Sequence, residues 1–138
     1  MKRLLFVMII SGLIGTLGCA KGVEVKGKVA FPDGKPLTVG EVIFQTDTWM
    51  ASGKIQSDGT YKLSSASEND GIKPGQYGIR IVGAYDSSNT PVGASPDEAL
   101  PPIPLIDAKF EKTETSGLTC DVKGSQTFDI TVTAPEAE

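Results

Sequence analysis

Apolar residues return at every second position along most of this chain, and that period limits the fold more than any other feature. Val23, Val25, Val29 and Phe31 alternate with Glu24, Lys26 and Lys28. A strand places successive side chains on opposite faces, so the pattern describes one dry face and one wet face. The same reading holds for 41–48, with Val42 and Phe44 inward, and for 49–56, interrupted by Gly53. It holds again for 60–63, for 76–85 with Tyr77, Ile79 and Ile81 on one face, for 118–122 and for 128–132. Pro32-Asp33-Gly34-Lys35, Ser57-Asp58-Gly59 and Lys123-Gly124-Ser125 supply turns between them. About seven short strands without an amphipathic helix make an all-β chain, expected as a single antiparallel Greek-key β-sandwich over 23–134 with a tail at 135–138.

The alternation stops between 86 and 115. Five prolines fall from Pro91 to Pro104, too many for a paired strand or a helix. A loop of that length in a compact domain is functional or disordered as a rule. Its apolar residues Leu100, Ile103, Leu105 and Ile106 are the candidate partner-binding set. The competing reading is that they fold back over an open sheet edge or the end of the core.

The N-terminus obeys different physics. Met1-Lys2-Arg3 precedes an apolar run from Leu4 to Leu17. A helix of about 14 residues rises about 21 Å, short of the roughly 30 Å hydrocarbon core, so 1–18 reads as an export signal. Leu17-Gly18-Cys19 resembles the lipobox of bacterial lipoproteins, with Thr16 where that class most often carries leucine. The resemblance implies cleavage before Cys19 and diacylation of its thiol, leaving 19–22 as a lipidated tether. Cleavage after Ala20, which would release a soluble protein, remains the alternative. Each buried methylene contributes about 0.8 kcal/mol, so two or more acyl chains hold a protein firmly at a membrane.

Removing 1–18 from 138 residues leaves 120 and takes away Lys2 and Arg3, moving the formal charge from −4 to −6. An acidic chain with scattered lysines excludes nucleic acid as a partner. There is no histidine, which removes the common catalytic triads and the usual zinc site. Asp47, Asp58, Glu68, Asn69 and Asp70 lack the spacing of a calcium loop and read as solvated turns. The only asparagines, Asn69 and Asn89, fall in loops, which disfavours a pilin-type Lys–Asn cross-link. Trp49 reads as core or rim before it reads as a sugar platform. Cys120 shares the parity of Leu118 and Val122, so it is expected to pack as a small buried thiol. No cofactor and no metal are expected.

Four segments taken in order carry a second resemblance. Val25-Lys26-Gly27-Lys28-Val29, Pro32-Asp33-Gly34-Lys35-Pro36-Leu37, Asp58-Gly59-Thr60-Tyr61-Lys62-Leu63 and Lys73-Pro74-Gly75-Gln76-Tyr77-Gly78-Ile79 resemble carboxypeptidase regulatory-like domains. These belong to the prealbumin-like (transthyretin-like) sandwiches, and the likeness covers roughly 23–82. Thr115-Ser116-Gly117-Leu118 with Gly124 and Phe128-Asp129-Ile130 looks like the ending of small bacterial lipoproteins that carry this domain. Some transthyretin-like proteins hydrolyse a purine-derived ring using histidines, an arginine and a C-terminal Tyr-Arg-Gly-Ser. That set is missing here, and Arg80, the one arginine after the signal, sits mid-strand. The resemblances together imply a non-catalytic structural or binding module, lipid-anchored at a bacterial cell envelope and meeting an envelope protein or glycan. A secreted carrier of a small ligand is the alternative, and a hydrolytic enzyme comes third.

Overall fold

A computed structural model describes residues 22–66, 70–89, 91–98 and 100–136. The signal segment 1–18 and Cys19, with Ala20 and Lys21 of the tether, lie outside the described residues, as do Glu68 and Asn69. The strands are β1 Val25–Ala30, β2 Glu41–Gln45, β3 Met50–Lys54, β4 Thr60–Lys62, β5 Gly75–Val82, β6 Tyr85–Asp86 and β7 Ile103–Pro104. A 3-10 turn (Ala108–Glu111) and one helical turn, α1 (Thr113–Ser116), precede β8 Leu118–Val122, β9 Gln126–Thr127 and β10 Ile130–Thr131.

One sheet runs β3-β2-β5-β8, antiparallel throughout, and the other centres on β1 between β4 and the β9/β10 line. The chain crosses between sheets after β1, β3, β4 and β8, and the two inward faces enclose one core. Val25, Val29, Tyr61, Ile130 and Val132 meet Val42, Phe44, Tyr77, Ile79, Ile81 and Val122 there. Phe44 is at the centre, its ring centroid 6.5 Å from Tyr61, 6.1 Å from Tyr77 and 6.0 Å edge-on from Phe128. Such tilted aromatic pairs contribute about 0.5–1.5 kcal/mol beyond their burial. β3 and β4 close one side of the sandwich through a bridge between Ser52 and Ser64. A side chain on Gly53 would overlap the Lys62 carbonyl, so the break in the 49–56 pattern is a close backbone approach.

All seven expected strands are present, and three features correct the expectation. First, the closing strand is parallel: Val25 pairs with Gln126 and Val29 with Ile130 on the same edge of β1. The line breaks at Phe128–Asp129, where the Lys28 amide donates instead to the Asp129 carboxylate at 2.9 Å. Second, β6 and β7 form a two-stranded ribbon, so the loop proper is 87–102. Third, 103–116 is folded. Asp107 caps the 3-10 turn by accepting from the Lys109 amide at 2.9 Å. The Ser116 hydroxyl donates to the Ile79 carbonyl at 2.5 Å. β8 pairs with β5 only from Gly75 to Ile79. The 3-10 turn and α1 pack against β5, with Thr113 against Gly78 and Ser116 bonded to Ile79.

Candidate functional site

Register defines two ends. β5 starts at Gly75, beside the bridge between Val23 and Ile72, and finishes at Val82. Seven steps of about 3.4 Å separate these points by roughly 24 Å. Because β2 runs against β5, its hairpin to β3 (Thr46 to Trp49) belongs to the Gly75 end. Gly22, where the described chain begins, belongs to that end too. The β6–β7 ribbon follows Val82 and belongs to the other.

At the far end, Leu105 donates its amide to the Ala84 carbonyl at 2.9 Å and Asp107 to that of Thr133 at 2.9 Å. These bonds fix the return of the loop onto the core. They divide the candidate partner-binding residues. Leu100 and Ile103 are 52% and 51% exposed, Leu105 is half-buried against the core, and Ile106 is 2% exposed inside it. Ile106 is therefore corrected from surface residue to core residue. Phe110, buried beside it, gave no periodic signal and was missed; the capping aspartate Asp107 and Gly117 at φ 68° are the marks that bracket this segment. Val39 and Val92, also exposed, lie respectively before β2 and within the loop. The Tyr85 hydroxyl is bonded to the Glu111 carboxylate, and that bond, then burial, raises its pKa.

The tyrosine motifs are structural. Gly59, at φ 84°, makes the turn before β4, and Asp58 accepts from the Thr60 amide at 3.0 Å and hydroxyl at 2.6 Å. Those bonds hold the Asp58 carboxyl below its usual pKa. Tyr61 then enters the core and donates to the Phe128 carbonyl at 2.5 Å, and Tyr77 does the same to that of Lys73 at 2.8 Å. Burial pushes the pKa of both hydroxyls up.

Of the residues raised as a calcium set, Glu68 and Asn69 lie outside the described residues, and the others are divided between the two ends. Asp58 is at the far end, and Asp70, at the tether end, accepts from the amides of Ser65 and Ala66 at 2.8 and 2.9 Å. Among the described residues no three metal-ligating groups come together. An open cleft of about 590 Å³ lies along β3 and β4, with Lys26, Lys54 and Lys62 on its walls. Glu24 bonds two of these, Lys62 at 2.8 Å and Lys26 at 3.2 Å, and its own pKa is lowered by them.

Cys120 is 5% exposed and accepts a hydrogen bond from the Gln126 amide group at 3.0 Å. Burial raises its pKa, so at neutral pH it is a thiol and a poor nucleophile. The domain without residues 1–19, in which Cys120 is the one cysteine, should resist maleimide until denatured. Cys120→Ser should cost about 1–3 kcal/mol through a less satisfied buried hydroxyl, read from the denaturant midpoint. Rapid native labelling would contradict the packing.

No family model matches the chain, and no curated protein matches it. A solved structure similar to it is a DUF3823 family protein from Bacteroides ovatus ATCC 8483, with TM-score 0.46 and 18% identity. The match covers 82% of this chain and 45% of that one, so the chain spans a little under half of its neighbour's length.

Proposed function

We propose that this chain is a lipid-anchored, extracytoplasmic β-sandwich of the carboxypeptidase regulatory-like kind, a non-catalytic module that presents its far end to an envelope protein. The observation behind this reading is the opposition of the two ends. Gly22, three residues after Cys19, is at one end, and the ribbon carrying 87–102 is at the other. Val39, Val92, Leu100 and Ile103 belong to that far end, four of the five exposed large apolar side chains among the described residues. An anchor at Cys19 turns such an end outward, and apolar side chains there suit a protein surface better than a glycan.

The anchor is tested by expressing the full chain in a bacterium fed labelled fatty acid. The chain should take up label and partition into detergent, and Cys19→Ala should lose both. Equal labelling of the variant would refute the anchor.

A further inference from the structure

The tether end carries a second consequence, which rests on the Cys19 anchor. Val23 is pinned to the sandwich, its amide donating to the Ile72 carbonyl at 2.8 Å and its carbonyl accepting from the Ile72 amide at 2.9 Å. From Cys19 to Gly22 is three residues, at most about 11 Å when extended. The polar layer of a bilayer is itself about 5–8 Å deep on each side. A tether that short keeps this end within a few ångströms of the headgroups even when fully extended.

The end presents a hairpin suited to that layer. Thr46 accepts from the Trp49 amide at 3.0 Å and from the Thr48 amide at 3.3 Å, which shapes the turn. Trp49 is half-buried, and the Lys73 ammonium sits 3.9 Å from its ring centroid. Met50 beside it is 56% exposed. Indole rings and lysines with apolar stems favour the membrane–water boundary, where each keeps one part dry and one part wet. The Trp49 Nε1–H is buried without an acceptor. Burying an orphan donor is unfavourable, so the indole gains by turning towards phosphate or ester oxygens.

We propose that this end seats on the membrane that holds Cys19, with Trp49, Met50 and Lys73 in the headgroup layer. Charge does not drive the seating. Among the described residues, Glu24, Asp47, Asp70, Asp121 and Glu114, which shares a groove with Asp47 and Gln76, offset Lys26, Lys62, Lys73 and Lys123 around this end, so it carries no basic patch. The tether and the hairpin drive it, so anionic lipid is not required.

Trp49 is the chain's only tryptophan, so intrinsic emission reports this one side chain. The lipid-modified full chain is reconstituted into phosphatidylcholine vesicles that carry a spin-label quencher either at headgroup depth or at the acyl-chain end. The vesicles are first floated, and the lipid mass on the protein is measured. Trp49 should lose most of its emission to the headgroup label and little to the deep one, with or without phosphatidylglycerol. Protein that floats with full emission in both quencher series overturns the seating and leaves the anchor standing. Protein that neither floats nor carries lipid mass overturns the anchor, and the seating with it.

Discussion

Ile106→Ala and Phe110→Ala are each expected to destabilise the domain, by about 2–5 and about 3–5 kcal/mol respectively. Both side chains are buried, and both lie in the segment that returns from the far-end loop across the end of the core. Their removal leaves a cavity under the 3-10 turn, which is held at its start by the Asp107 cap and the bond from the Asp107 amide to Thr133. The loop before them should behave in the opposite way. Replacing 88–101 by a short Gly-Ser turn keeps the pairing of Asp86 with Ile103, and closing a shorter loop costs no more entropy. Stability should stay within about 1 kcal/mol of the parent. Urea midpoints at unchanged m-value measure both halves of the prediction. A loop deletion as damaging as Phe110→Ala would mean that 88–101 covers the core as well.

Gly27→Val should leave little folded protein. A side chain at Gly27 would overlap the Phe128 carbonyl oxygen and lie 2.6 Å from its carbon, and neither atom can rotate away. Relief requires β1 to part from the β9/β10 line. That parting breaks the bond from the Phe128 amide to the Lys26 carbonyl, 2.8 Å, and the Tyr61 hydroxyl bond to Phe128. Even Gly27→Ala should reach or pass the top of the roughly 1–3 kcal/mol overpacking range. Gly34 provides the contrast: its φ is 88°, but nothing lies within 4 Å of an added side chain. Gly34→Ala should cost only the left-handed backbone strain, about 1–2 kcal/mol. Soluble yield and circular dichroism melts of the three variants check the ranking, and equal melts for Gly27→Ala and Gly34→Ala would contradict it.

These residues also mark what the sequence could and could not convey. Alternation located β1 to β5 and β8, because a half-buried strand repeats its dry side every second residue. It also placed Val42 and Phe44 inward, although Ile43 on the opposite face, across from Arg80, is buried too. A period of two carries no direction. For that reason the parallel return of β9 and β10 along β1 was illegible, and so was the Phe128 carbonyl that gives Gly27 its purpose. Ile106 and Phe110 stand singly between turns and prolines, where burial leaves no period at all. Of the candidate sites, composition marked Leu100, Ile103, Leu105 and Ile106 but left them open between a partner surface and a cover for the core, and the division between them depends on bonds to Ala84 and Thr133 made across the fold.

The central claim is that Cys19 holds this sandwich to a membrane. Mass spectrometry of the mature N-terminus, taken from protein made by a lipoprotein-processing bacterium, measures it most directly. The account predicts a chain that begins at Cys19 and carries at least two acyl chains. An unmodified chain beginning at Lys21, free in the soluble fraction, would contradict it.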